Sequence, residues 1–270
     1  LHAAAYKHVP LVEANPLSGL VNNVLGTHVL ATEALRAKVE RFTLISTDKA
    51  VRPTSVMGAS KRMAELIVQD MARKVSSAGR PIFSMVRFGN VLGSSGSVIP
   101  LFQEQISRGG PLTVTDERVT RYFMTVQEAA RLVLKSGALA HGGEVFVFDM
   151  GKPVSIMQIA RQVIENAGFT LRDPANPDGD IEIVTTGLRP GEKLVEELTL
   201  SKEISPTKHA KIFSVREANL SELEIALALR SIRDAANAGS EDMARAVVIH
   251  WFEIFHSPQR ADQARSLALA

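Results

Sequence analysis

A short run of β-branched and aromatic residues, Phe42-Thr-Leu-Ile-Ser46, stands between two long stretches of helical spacing, and this alternation restricts the fold more than any other feature. From Pro16 to about Lys38, Leu20, Val24, Leu30 and Leu35 recur at near-helical intervals; from about Val56 to Lys74, Met63, Leu66, Ile67 and Met71 do the same. The run between them suits a buried parallel strand. The pattern repeats with a strand over Ile82–Phe88, a glycine- and serine-rich turn, and a helix over Val98–Arg108 stopped by Gly109-Gly-Pro111. Gln127 to Leu139 then reads as helix and Glu144 to Asp149 as strand. Strands joined through helices predict an α/β fold with a parallel sheet.

The second half changes character. Asp173-Pro-Ala-Asn-Pro-Asp-Gly-Asp180 is a turn-rich linker before a short strand at Ile181–Val184, and after Lys211 the chain is expected to be largely helical, over Leu220–Ala236 and Glu241–Phe255. The division this predicts is a sheet domain over 1–111 to which 127–149 returns, and a smaller mixed region over 112–270 that binds substrate and carries the C-terminal helices. With 45% hydrophobic residues, 270 residues can build a real core. A formal charge of +2 is too balanced for general nucleic-acid binding. No apolar run is long enough to cross a membrane. Cysteine is absent, and the seven histidines show no ligand spacing, so no metal site is expected.

Chemistry concentrates where an open parallel sheet holds its ligands, beyond the carboxyl ends of the strands. Ser46-Thr47-Asp48-Lys49 follows the first strand directly, and Met57-Gly-Ala-Ser-Lys61 opens the next helix. Taken alone, this pattern also fits a helix N-terminus beside an ordinary Asp48–lysine loop salt bridge. Gly89, Gly93 and Gly96 follow the second strand, with a spacing that differs from a dinucleotide fingerprint.

The whole string Ser46 to Lys61 resembles the extended short-chain dehydrogenase/reductases, and more closely the bacterial nucleotide-sugar 4,6-dehydratases of polysaccharide and glycan biosynthesis. Leu1-His-Ala-Ala-Ala-Tyr-Lys7, Asn23-Val-Leu-Gly-Thr27, Arg87-Phe-Gly-Asn-Val-Leu-Gly93 and Arg189-Pro-Gly-Glu-Lys193 extend the resemblance, in order, to about Val195. It implies a Rossmann-like sheet lacking its N-terminal strands. The front part of such an enzyme, with its pyrophosphate turn, would precede Leu1, so this chain is expected to be a fragment with weakened cofactor binding. Exposed sheet edges and faces would then favour a homo-oligomer.

The resemblance assigns roles residue by residue. Ala4, Lys7, Asn23 and Lys61 would lie along NAD or NADP; Asn23 also reads as a polar helix-packing residue. Thr47 would bond the C4 hydroxyl of a UDP-N-acetylhexosamine, Asp48 would protonate the leaving C6 hydroxyl, and Lys49 would take the C5 proton. The superfamily base, a tyrosine four residues before Lys61, is replaced by Met57, and neither Tyr6 nor Tyr122 stands in its place. Methionine transfers no proton, yet the long, membrane-anchored branch of these dehydratases carries it. Asn90, Arg121 and Arg189 would hold the diphosphate and Glu192 the uridine ribose; Arg121 also reads as an intramolecular ion pair. A cytoplasmic site of action follows, with the parent protein anchored to the inner membrane. Two other readings stay open: a non-catalytic nucleotide-sugar-binding or assembly fragment, and a UDP-sugar C4 or C5 epimerase.

Overall fold

A computed structural model of the chain describes residues 1–75, 79–200, 204–217 and 219–256. They form two compact units, the first from 1–88, 130–149 and 197 onward, the second from 89–129 and 150–196. This division departs from the expected one at both ends. Residues 89–111 belong with the second unit because Phe102 and Ile106 share a core with Ile156, Ile159 and Ile181. The C-terminal helices belong with the first, because Ile225, Leu229, Ile232 and Trp251 pack on Met57, Met63 and Ile67. Residues 257–270 of the expected second region lie outside the described residues.

The first unit is built on a five-stranded sheet whose strands lie in the order Arg41–Ile45, Ile82–Arg87, Val145–Phe148, Ile212–Val215 and Ile204–Pro206. Strands β1 (Arg41–Ile45), β2 (Ile82–Arg87) and β7 (Val145–Phe148) are parallel, with Arg41 opposite Ile82 and Met85 opposite Val145. Their near-continuous burial, on both faces of β2 and β7, explains the apolar runs in the sequence. Two antiparallel strands, β12 (Ile212–Val215) and β11 (Ile204–Pro206), extend the sheet beyond β7. Neither strand is among the expected elements, and β12 lies just after Lys211, ahead of the expected helices. Ile-Phe-Ser-Val is too short to show a period, and its partner is distant in sequence. At the opposite edge, the His2 amide donates to Thr43 O at 2.9 Å and the Ile45 amide donates to His2 O at 2.9 Å, a parallel bridge onto β1. The expected bare apolar edge is thus partnered at its carboxyl end, and Phe42 and Leu44 are buried.

Helices α1 (Val9–Ala14), α2 (Pro16–Leu20) and α3 (Gly26–Arg36) precede β1. Between α2 and α3 the helix passes through one π turn, Val21–Leu25, so the expected single helix from Pro16 carries an extra residue in the middle. Helix α4 (Val56–Lys74) is buried along Val56–Met71. Its first turn is capped twice: Ser55 Oγ accepts from the Gly58 amide at 3.1 Å, and Glu13 Oε1 accepts from the Val56 amide at 2.6 Å. Helix α6 (Val126–Leu139) precedes β7. Helices α8 (Glu222–Ala238) and α9 (Glu241–His256) close the unit; α8 opens with a Ser221–Glu224 capping box and ends at Gly239, whose φ of 59° is the left-handed C-cap conformation.

The second unit holds three parallel strands, β4 (Leu112–Val114), β10 (Ile181–Thr185) and β9 (Leu171–Arg172), in the order β4–β10–β9. Helix α5 (Val98–Ser107) and helix α7 (Ile156–Asn166) share its core; Ile156, Ile159, Ala160 and Ile164 form the apolar stripe of α7. Two short pairs complete it. Strand β3 (Asn90–Val91) lies parallel to β6 (Phe123–Met124), and β5 (Thr120–Arg121) antiparallel to β8 (Val154–Ser155).

Candidate active site

Past the end of β1 the chain stays bonded to β2: the Ser46 amide donates to Val86 O at 2.8 Å and the Asp48 amide to Phe88 O at 3.3 Å. It then tightens into a 3₁₀ turn, Asp48–Ala50, capped by Thr47. Gly58 explains how closely α4 approaches this turn, since a Cβ there would stand 2.4 Å from Lys49 O. Three neighbouring side chains therefore converge. Asp48 Oδ1 accepts from Thr47 Oγ1 at 2.8 Å and from Lys49 Nζ at 3.0 Å. Asp48 is fully buried, and its other oxygen, Oδ2, has no partner among the described residues. A buried carboxylate oxygen left bare is costly unless water or a ligand completes it.

Met57 is buried in the apolar core with Met63 and Ile67, so position 57 offers no polar atom to the site. Lys61, one turn later on α4, donates to Ile45 O at 2.7 Å. Burial pushes its pKa down to about 8, against a smaller opposing pull from Glu65. Ala4 and Lys7 are exposed.

Asn23, in the π turn, is almost completely buried and fully engaged. Its Oδ1 accepts from the Tyr6 amide at 2.7 Å and from Asn22 Nδ2 at 3.0 Å; its Nδ2 donates to Tyr6 O at 3.0 Å and Ser60 Oγ at 2.9 Å. A carboxamide has four hydrogen-bonding positions and all four are used within the chain, the pattern of the helix-packing alternative for Asn23. It is a brace joining the 1–7 segment to α4.

Two side chains at this end of the sheet lie in the quoted motifs but are given no role by them. Ser46 Oγ and His2 Nδ1 are buried without partners among the described residues. His2 Nε2 lies 2.9 Å from Thr27 Oγ1, whose proton goes to Asn23 O at 2.7 Å. Nε2 must then be the donor, so Nδ1 is a bare acceptor. Burial, and after it the charge of Lys61, lowers the His2 pKa to about 4. A lone histidine beside alanines carries no spacing signal; its place at the end of a strand was the available clue.

The residues expected to grip the nucleotide lie in the second unit. Arg121 is buried and donates to Thr120 O at 2.8 Å, Leu194 O at 3.1 Å and Glu192 Oε1 at 3.2 Å. Glu192 Oε1 also accepts from Thr115 Oγ1 at 3.0 Å, and Oε2 from the Arg189 amide at 3.3 Å. Arg121 and Glu192 are therefore partners of each other in this structure, the ion-pair alternative for Arg121. The Arg189 side chain is exposed, and the Asn90 amide donates to Tyr122 O at 2.9 Å. Among the described residues no group of three His, Asp or Glu could hold a metal ion, and no helix is long and apolar enough to cross a membrane.

Residues 1–217 match a family model described as polysaccharide biosynthesis protein. Over 213 residues, 78% of this chain, the sequence is 54% identical to the capsular polysaccharide biosynthesis protein CapD of Staphylococcus aureus, covering 34% of that protein. It is 37% identical over 204 residues, 76% of the chain, to a UDP-glucose 4-epimerase of Rickettsia rickettsii, covering 56% of it. The chain thus spans only a third to little more than half the length of these relatives. Among solved structures, Pen from Bacillus thuringiensis superposes with a TM-score of 0.70 at 34% identity, covering 79% of this chain and 64% of that one. DesIV from Streptomyces venezuelae, a dTDP-glucose 4,6-dehydratase with NAD bound, shares the fold with a TM-score of 0.62 at 20% identity, covering 90% of this chain and 74% of that one.

Proposed function

The chain belongs to the polysaccharide biosynthesis protein family, with the short-chain dehydrogenase/reductase fold, and from that premise we propose that it is catalytic sequence of a nucleotide-sugar 4,6-dehydratase acting on a UDP-N-acetylhexosamine. The supporting observation is the Asp48–Lys49 pair, joined at 3.0 Å with Asp48 Oδ2 buried and bare. Moving one proton across that bond turns carboxylate and ammonium into carboxylic acid and amine with no change in total charge. The neutral pair holds both groups an elimination needs. Lys49 Nζ takes the proton at C5, the C6–O bond breaks as the C5–C6 double bond forms, and Asp48 gives its proton to the departing hydroxyl, which leaves as water. The ion pair is restored. Thr47, already bonded to Asp48 Oδ1, orients the sugar by its C4 oxygen.

NAD(P), when bound, would supply the oxidation at C4 that acidifies the C5 proton and, after elimination, the matching reduction at C6, so that with Lys49 returning its proton to C5 the product is the 4-keto-6-deoxy sugar. Lys61 fits the role of holding it: one ammonium hydrogen goes to Ile45 O, leaving two to donate to ribose hydroxyls. Asn23 has its four positions engaged within the chain. Ala4 and Lys7 belong to the segment that Asn23 holds. In the second unit, Asn90, Arg121 and Arg189 would bind the diphosphate and Glu192 the ribose, Arg121 and Glu192 exchanging their mutual bond for the ligand. We place this chemistry on the cytoplasmic side of a membrane-anchored parent.

A second reading, C4 epimerisation, is favoured by the identity with the Rickettsia epimerase. NMR of the sugar product separates the two. The chain joined to an N-terminal cofactor-binding part, given UDP-N-acetylglucosamine and NAD⁺, is expected to form a 4-keto-6-deoxy sugar; a C4-inverted sugar retaining its C6 hydroxyl supports the epimerase. Lys49→Ala should slow dehydration by about 10²-fold or more, and full dehydratase activity in that variant would overturn the assignment.

A further inference from the structure

Four buried charges stand beside Lys61 with no part in the chemistry above. Arg87, the last residue of β2, donates through Nε and Nη2 to both oxygens of Glu65, at 2.7 and 2.6 Å, and through Nη1 and Nη2 to both oxygens of Glu217, at 2.6 and 2.8 Å. Arg62 Nη1 reaches the same two carboxylates, Glu65 Oε2 at 3.1 Å and Glu217 Oε2 at 2.7 Å. The four side chains are between 0 and 5% exposed, and their formal charges cancel.

Glu65 lies four residues after Lys61, the spacing at which a glutamate and a lysine on one helix are neighbours. We propose that this quartet is a charge-withholding device: by committing both oxygens of Glu65 to arginines, it denies Lys61 a counter-ion and leaves its ammonium on a backbone carbonyl. Glu65 is thereby a positioning residue, acting through Lys61.

The ionisation around Lys61 is consistent with this arrangement. Burial would raise the pKa of Glu65, but the arginines, Arg87 foremost, hold it below the usual carboxylate range, so it stays charged and paired. Lys61 is pushed down to about 8 by burial despite that nearby anion. The titratable group facing it from the N-terminal segment is His2, whose pKa, lowered to about 4, leaves it neutral above that pH. With methionine at 57, a lysine that can lose its proton near neutral pH is the titratable side chain α4 presents beside the end of β1. Its value for catalysis rests on the role proposed for Lys61; the device itself does not.

The test is the Lys61 pKa, read by ¹⁵N NMR of the side-chain nitrogen in lysine-labelled chain, with Lys61→Arg to assign the resonance. Arg87→Gln leaves the cluster one charge negative and should raise the Lys61 pKa by about one unit or more. Glu65→Gln leaves it one charge positive and should lower the pKa, and the double variant, neutral again, should return it towards the native value. Opposite signs are not expected from a merely structural disturbance. Should Arg87→Gln not fold, Arg62→Gln makes the same change of charge while keeping the Arg87 fork, and carries the same prediction. Shifts of the same sign, or none in folded variants, would overturn the proposal. Because the readout is a protonation state, it holds whichever reaction the enzyme performs.

Discussion

Replacing Trp251 with alanine tests whether α8 and α9, which follow the matched family region, are an integral part of the unit that carries Lys61. Trp251 is 2% exposed and shares its core with Met63 and Ile67 of α4 and with Ile225 and Leu229 of α8. Truncating a buried tryptophan costs about 3–5 kcal/mol, the upper part of that range reflecting a sealed cavity. Here the side chain borders a cleft of about 460 Å³ lined by Leu220, Leu227, Val247 and Phe255, so water can enter the space left behind. The expected loss is therefore near the lower figure, about 3 kcal/mol, or about two orders of magnitude in the folded-to-unfolded ratio. Urea denaturation followed by far-ultraviolet circular dichroism measures it, since the variant loses the chain's single tryptophan. If α8–α9 and α4 unfold together, the whole transition moves to lower urea with an unchanged slope. A separate early transition, with the main midpoint unmoved, would refute the packing argument.

Three other perturbations have defined outcomes. Asn23→Ala removes all four bonds of a buried carboxamide and should destabilise by about 2–4 kcal/mol in the same assay, because Ser60 Oγ stays buried while Tyr6 can turn to water; a loss below about 1 kcal/mol would contradict the brace. Burial lowers the His2 pKa from its ordinary 6.5 to about 4, so the unfolded chain binds the extra proton between those values, and stability falls as pH drops through that window. His2→Gln should flatten this part of the stability–pH curve, by at most about 3 kcal/mol; an unchanged acid limb would count against a buried neutral His2. Arg189→Ala should weaken UDP binding by about tenfold in calorimetry, the loss of one charge-assisted contact, and equal affinity would remove Arg189 from the nucleotide grip.

What the sequence disclosed depended on the range of the interaction. Strand β1 and helix α4 were legible because periodicity is a local property, and the Asp48–Lys49 pair because both residues follow one strand end. Strand β12 was not legible: four residues have no measurable period, and only pairing with β7 makes them a strand. The same limit applied at the site. Asn23 was found as a polar residue in a recognisable run, but whether its amide was free or saturated depended on Tyr6 and Ser60, far apart in sequence. Arg121 and Glu192, singled out by separate motifs, lie 71 residues apart, so the bond between them is legible only in the structure. The Arg87–Glu65 fork left a trace in the sequence, a glutamate four residues after Lys61, which reads equally as a partner for that lysine.

The π turn at Val21–Leu25 sets a rule for how the length of this helix can change. A π turn is a helix carrying one surplus residue, and deleting that residue would restore regular α-helical bonding. It would also rotate everything on one side of the deletion by about 100° about the helix axis relative to the other. Asn23 would then turn away from Tyr6 and Ser60, or Thr27 away from His2. A chain one residue shorter here would contain a better helix and lose the brace, so single-residue deletions should be far less tolerated between 20 and 26 than in the exposed loop at 174–178.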